Sequence, residues 1–199
     1  MSEQSFDVLI AGGGPVGLTL ALALAQSARG IRVGLVDRRP LSVPRDARAS
    51  AISAGVRRLL EALGVWPGMA AAAQPITAMR ITDSGQGDIS RPLFLTFDGD
   101  IAPGEAFAHM VPNAVSAQVL LDAVAGQISV IAPAAITGYS AEANAVRLVL
   151  EDGRRLTAPL LVAADGGQSA LRGMAGIGVI THDYGQTGLV TTIGHDLPH

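Results

Sequence analysis

Apolar residues in this chain gather into short runs that are cut off by glycine. Phe6-Asp7-Val8-Leu9-Ile10-Ala11 reads as a buried strand that runs straight into Gly12-Gly13-Gly14. Leucine and alanine then alternate over an apolar helical pattern that the sequence predicts across 15–27, with Pro15 in the first turn. Proline is tolerated there because the missing N–H would be unpaired anyway. Residues 31–36 form a second apolar run that ends in Asp37. Residues 40–50 form a loop rich in proline and arginine. Ile52, Val56, Leu59, Leu60 and Leu63 then recur at helical spacing, with Gly64 as the C-terminal cap.

The pattern becomes strand-like over 76–82 and 92–97, with 83–88 as the turn between. His109-Met110-Val111 is again apolar, and Asn113 is read as the cap of a helix to about Ala125. Its expected core positions are Val115, Val119, Leu120 and Val124. Short strands are expected over 128–132 and 136–139. A hairpin over 145–151 and 154–158 turns at Asp152-Gly153, a strong local hairpin signal. Residues 159–163 form one more buried strand, which runs into Asp165-Gly166-Gly167. A short helix follows over 169–174, then β pattern over 179–182 and 188–193.

Gly12, Gly14 and Gly17 fit G-x-G-x-x-G between a strand and a helix. Gly12 permits the tight turn, Gly14 lets a pyrophosphate approach the backbone, and Gly17 lets the helix pack on the strand. The helix N-terminus presents free N–H groups and a partial positive charge to phosphates. Asp37 closes a βαβ unit of ~30 residues and stands ~20 residues after the last glycine, where a carboxylate can accept from both hydroxyls of an adenosine ribose. The same charge disfavours a 2′-phosphate, an argument that the adjacent Arg38 and Arg39 weaken. Asp165-Gly166 follows the end of another strand, the edge at which open α/β sheets bind ligands.

Composition narrows the classes. Of 199 residues, 49% are hydrophobic and 16% charged, as in a well-buried folded protein and unlike a disordered one. A net charge of −3 gives no basic footprint for nucleic acid. The absence of cysteine removes disulfides, thiolate metal sites and a thiol nucleophile, and fits a reducing compartment. The first residues lack the basic start and apolar stretch of a signal peptide, and the longest apolar run is well short of the ~20 residues that span a bilayer. The four histidines show no metal-ligand spacing and receive no role. Trp66 is read as a packing residue.

Four stretches together carry a resemblance: Ile10-Ala11-Gly12-Gly13-Gly14-Pro15-Val16-Gly17, Val36-Asp37-Arg38-Arg39, Arg48-Ala49-Ser50-Ala51-Ile52-Ser53, and the run from Val162 through Asp165-Gly166 to Arg172. The chain resembles the N-terminal half of a flavin-dependent aromatic hydroxylase, and within that group the hydroxylases of ubiquinone biosynthesis. The resemblance implies an α/β fold: a Rossmann-like FAD-binding domain with an inserted, incomplete β-sheet substrate domain. It divides the chain into 1–75 and 108–174 (FAD-binding), 76–107 (β excursion) and 175–199 (start of a truncated substrate domain). It implies that Gly12, Gly14, Pro15 and Gly17 cradle the pyrophosphate of FAD and that Asp37, with Arg38 beside it, binds the adenosine end. Arg48 is implied near the pyrophosphate and flavin. Gln118 is implied to face FAD from its helix. Asp165 and Gly166 are implied to serve FAD and a transient nicotinamide nucleotide, with Arg172 in support.

No side chain in this half is implied as a catalytic acid or base. The activity implied is NAD(P)H- and O2-dependent hydroxylation of a prenylated phenol. Cytoplasmic location is expected, with room for peripheral contact with the inner membrane or a biosynthetic complex. The oligomeric state is left open. Relatives of this kind are about twice as long, so a fragment or truncated product is expected. Two rival readings share the opening motif: a reductase or dehydrogenase of the same fold, and a non-catalytic fragment.

Overall fold

The computed structural model describes residues 3–27, 30–45, 47–83, 92–191, 194 and 196. In chain order the elements begin with β1 (Glu3–Ser5), β2 (Val8–Ala11), α1 (Pro15–Ser27) and β3 (Val33–Val36). They continue with β4 (Ala49–Ser53), α2 (Ala54–Ala62), α3 (Trp66–Ala70), β5 (Gln74–Ile76), β6 (Ala78–Thr82), β7 (Leu93–Asp98), β8 (Asp100–Ala102) and β9 (Glu105–Ala106). β10 (Ala108–Pro112), α4 (Asn113–Val124), β11 (Ser129–Ile131), β12 (Ile136–Ala141), β13 (Val146–Leu150), β14 (Arg155–Ala158), β15 (Leu160–Ala163) and α5 (Ala170–Met174) complete the described fold.

The central sheet is parallel, in the order β11-β3-β2-β15. Numbered by their place in the sequence, these strands lie 3-2-1-4, the order of a doubly wound nucleotide-binding sheet. β2 explains its own apolar sequence. Val8 and Ile10 point to one face, into a core with Leu18, Leu22, Leu35, Trp66, Met69 and Leu120. Leu9 and Ala11 point to the other, into a core with Phe6, Leu148, Leu150, Leu156 and Leu171. A strand covered on both faces cannot alternate apolar with polar. Leu9, Ile10 and Leu35 are completely buried, each a gain of about 1.5–3 kcal/mol over the exposed side chain.

Helices α1 and α4 cover the first face. The second is covered by a sheet in the order β1-β14-β13-β12, antiparallel except where β1 joins β14. Gly34 belongs to the second interface: a Cβ there would meet Leu9 Cδ2 at 2.9 Å and the Phe6 ring at 3.0 Å. The expected hairpin at Asp152-Gly153 joins β13 to β14, and Gly153 takes φ +81°.

β10 is shared between β4 and β5 in a third, antiparallel sheet, while β6 pairs with β7 and β8 with β9. The turn expected over 83–88 falls largely outside the described residues. Trp66 is buried, with its ring edge-on to His109 at 5.3 Å and the Arg57 guanidinium 5.7 Å from its centroid.

Several expectations need correction. Ile52, which stands at helical spacing in the sequence, lies in β4; the helix starts at Ala54, capped by the Ser53 hydroxyl. Gly64 does follow that helix with φ +72°. Asn113 is not a side-chain cap: it is the first residue of α4, after Pro112. The β pattern expected over 179–182 and 188–193 forms no strand among the described residues. Ile180, Leu189 and Val190 are almost fully exposed there. Alternation alone does not make a strand, because its backbone groups need a partner strand.

Candidate functional site at the carboxyl edge of the parallel sheet

The parallel strands end together, and the turns at their carboxyl ends build the site. After β2 comes the glycine turn. Gly12 takes φ +111° and its N–H donates to the Val36 carbonyl at 2.7 Å. A Cβ on Gly12 would overlap the carbonyl of Ala164, so the turn after β2 is pressed against the end of β15. A Cβ on Gly17 would overlap the carbonyl oxygen of Gly12, which places α1 directly on the turn. Gly14 differs from both: nothing lies within 4 Å of the Cβ it lacks. Its open side faces solvent at the foot of α1, where the Leu18 N–H donates to the Gly14 carbonyl at 2.9 Å.

After β3 comes Asp37. The Gly13 N–H donates to its Oδ2 at 2.7 Å and the Arg39 N–H to its Oδ1 at 2.8 Å. One carboxylate therefore fixes the glycine turn and the loop that leads to Arg48. After β15 comes Asp165. Its Oδ2 accepts from the Leu171 N–H at 3.3 Å, while Oδ1 is buried and has no partner. Gly166 follows at φ +89°. Arg172 donates from its guanidinium to the Gly167 carbonyl at 2.9 Å, and its N–H donates to Ser169 Oγ at 3.0 Å. Arg172 thus braces this turn from behind.

Two clefts open along this edge. The larger, about 720 Å³, is lined by Gly13, Gly14, Pro15 and Asp37, by the 39–50 loop including Arg39 and Arg48, and by Asn113, Ser116 and Ala117 of α4. The smaller, about 360 Å³, is lined by Gly12, Gly14, Asp37, Arg38, Arg39, Asp165 and Gly166, and by Ala134 and Ala135 after β11. Gly14, Asp37 and Arg39 line both, so the clefts meet over the glycine turn.

Of the residues singled out by sequence, Gly12, Gly14, Pro15, Asp37, Arg38, Arg48, Asp165 and Gly166 face one cleft or both. Gly17 is buried beneath the turn, and the half-buried Arg172 lines neither cleft. Gln118 is not brought to either cleft: it is exposed, and its amide donates to Asp122 Oδ1 at 2.9 Å. Successive helical residues are offset by about 100°. The cleft-facing positions of α4 are therefore Asn113, Ser116 and Ala117, and Gln118 turns past them.

Sequence reasoning gave no site role to Ser50, Asn113 or Ser116. In the sequence Ser50 lies within the Arg48–Ser53 stretch, and Asn113 is marked only as a helix start. Arg39 was weighed only as a neighbour of Asp37.

The geometry suits an elongated, doubly phosphorylated nucleotide. A helix N-terminus and three arginines, Arg38, Arg39 and Arg48, favour an anion, and Gly14 leaves the backbone bare at the point of approach. The buried, unpartnered Asp165 Oδ1 lacks a hydrogen-bond donor, which a ligand hydroxyl would supply. The residues present therefore fit FAD. Fold and site together define a Rossmann-type nucleotide-binding protein. The chain belongs to the FAD binding domain family, whose sequence profile matches residues 5–198.

Among characterised proteins, it is 38% identical to the ubiquinone hydroxylase UbiL of Rhodospirillum rubrum, over 100% of this chain and 46% of that protein. It is 30% identical to the 3-demethoxyubiquinol 3-hydroxylase of Escherichia coli K12, over 97% of the chain and 49% of that protein. The chain thus spans about half the length of the curated relatives it matches. Among solved structures, PqsL of Pseudomonas aeruginosa, a probable FAD-dependent monooxygenase, superposes with a TM-score of 0.73 at 22% identity, over 91% of this chain and 48% of that one. The p-nitrophenol 4-monooxygenase PnpA of Pseudomonas putida gives 0.71 at 20% identity, over 88% and 44%. These two likenesses speak to the fold.

Proposed function

We propose that this chain is the FAD-holding part of an NAD(P)H-dependent monooxygenase that hydroxylates a prenylated phenol on the way to ubiquinone. The observation that carries the reading is the match along the whole chain to ubiquinone hydroxylases, joined to a bare glycine cradle and carboxylate in the register such a cofactor needs. Gly12, Gly14, Pro15 and Gly17 shape the pyrophosphate cradle. Asp37 offers its carboxylate to the adenosine ribose, and Arg38 borders the same cleft. Arg48, which lines the same cleft as Gly14 and Pro15, offsets phosphate charge. Asp165 and Gly166 close the cradle from β15, held by Arg172. Bound FAD would supply the redox chemistry that couples NAD(P)H and O2 to the aromatic ring.

The segments 1–75 and 108–174 are assigned to cofactor binding, and 76–107 and 175–199 to the substrate side. Exposed apolar side chains at Leu93, Phe94 and Phe97 support that assignment. No helix among the described residues is long and apolar enough to cross a membrane.

A chimera tests the reading: this chain replaces the corresponding first part of the Rhodospirillum rubrum relative. The expected result is an FAD-containing protein whose O2 consumption and NAD(P)H oxidation rise on addition of a prenylated phenol, with one oxygen added to the product by mass spectrometry. A folded, FAD-loaded chimera that oxidises NAD(P)H without response to the phenol would contradict it and favour a reductase.

A further inference from the structure

Helix α4 contributes an amide side chain to the larger cleft, and it is Asn113. Asn113 lines that cleft together with Ser50 and Arg48. The Ser50 hydroxyl donates to Asn113 Oδ1 at 2.7 Å, across 63 residues of chain. The Asn113 N–H donates to the Arg48 carbonyl at 2.9 Å. Pairing of β4 with β10, with Ser50 opposite Val111 and Ala49 opposite Pro112, brings these groups together. A serine hydroxyl has a single proton to give, and an asparagine amide has an acceptor end and a donor end. With Oδ1 committed to Ser50, Nδ2 is the end left to donate.

We propose that Asn113 is a cofactor-contacting residue, that its Nδ2 donates to a phosphate or ribityl oxygen of FAD, and that Ser50 is the positioning residue that orients it. The proposal rests on the FAD reading above and adds to it the polar contact from α4 that Gln118 does not make. The Asn113 N–H separately ties the backbone at Arg48 to the start of α4, so both residues are anchored at the same edge of the cleft. Ser50 acts through Asn113, which makes the two energetically dependent.

The test uses the full chain and FAD itself, with titration followed by flavin fluorescence and by the FAD-induced rise in Tm. Asn113→Asp is nearly isosteric and replaces the donor with a negative charge. It is expected to weaken FAD binding about 10- to 100-fold, the range for a lost hydrogen bond to a charged group. Ser50→Ala is expected to weaken binding about threefold to tenfold. The double variant Ser50→Ala/Asn113→Ala should bind no more weakly than Asn113→Ala alone, because Ser50 has nothing left to orient. Gln118→Ala is expected to bind as wild type.

The Tm of the FAD-free variants reports any purely structural role. Loss of FAD affinity at unchanged FAD-free Tm supports the proposal. Wild type that binds FAD, with Asn113→Asp and Asn113→Ala within twofold of it, overturns the proposal and leaves the FAD reading standing. Additive losses in the double variant overturn the positioning role of Ser50. Wild type that binds no FAD overturns both readings.

Discussion

Replacing Gly17 with alanine sets two effects of opposite sign against each other. In a helix interior, alanine is preferred to glycine by about 1 kcal/mol. At this position the new Cβ would overlap the Gly12 carbonyl oxygen and sit 3.4 Å from Ile10 Cγ2. Neither neighbour can easily retreat. Gly12 is held by its 2.7 Å hydrogen bond to Val36, and Ile10 is completely buried. Overpacking costs about 1–3 kcal/mol, and overlap with an anchored backbone oxygen belongs in the upper part of that range, about 2–3 kcal/mol, so after the helical gain of about 1 kcal/mol a net loss of about 1–2 kcal/mol remains. For a chain of this length that is a fall in Tm of roughly 2–8 °C.

Gly14→Ala makes the same chemical change three residues away, where nothing lies within 4 Å. Its effect on the FAD-free chain should stay within about 0.5 kcal/mol. The new methyl would instead stand in the cradle and weaken FAD binding about tenfold or more. Thermal melts of the FAD-free variants and FAD titrations separate the two. The reasoning is refuted if Gly17→Ala melts at or above wild type. It is equally refuted if Gly14→Ala loses stability while keeping full FAD affinity.

Other residues carry further expectations. Asp37→Ala removes the acceptor for the Gly13 and Arg39 amides and should cost about 1–3 kcal/mol in urea denaturation even without FAD, with Asp37→Asn costing less. Leu148→Ala, in the completely buried centre of β13, should cost about 2–5 kcal/mol by the same assay while its effect on FAD affinity stays small. Asp7 is held below the ordinary carboxylate range, first by the Arg32 side chain and then by the Arg32 backbone N–H. A depressed carboxylate stabilises the fold above its unfolded value of about 3.9, and that contribution is lost as pH falls through the lower folded value. The urea midpoint of wild type should therefore drop more steeply below about pH 4 than that of Asp7→Asn, and parallel profiles would contradict the assignment.

What could be read from sequence was whatever short-range chemistry enforces. The Gly12–Gly17 turn, α1 and the Asp152-Gly153 hairpin were legible because glycine conformation and apolar runs leave few alternatives there. β4 was not. Ala49, Ser50 and Ala51 are small and carry no strand signal of their own, and the strand exists because β10 pairs with it from about sixty residues away. The single-turn helix α3 and the β8–β9 pair were too short to leave a periodic pattern. Gln118 shows how the site can mislead: an amide on the right helix suggests a ligand contact, yet a shift of one residue turns it out of the cleft. Asn113 looked like a cap until β4 brought Ser50 against it. The Asp165-Gly166 turn was readable as a turn, but the orphaned Oδ1 that gives it meaning is a property of packing.

The central claim is that the glycine turn, Asp37 and the paired clefts of this chain hold FAD. It is tested most directly by titrating the purified chain with FAD and following flavin fluorescence and absorbance to saturation. The account predicts one FAD per chain, with binding abolished by Gly14→Val and little changed by Gln118→Ala. A folded chain that takes up no FAD, or one that binds it equally well with valine at position 14, would contradict it.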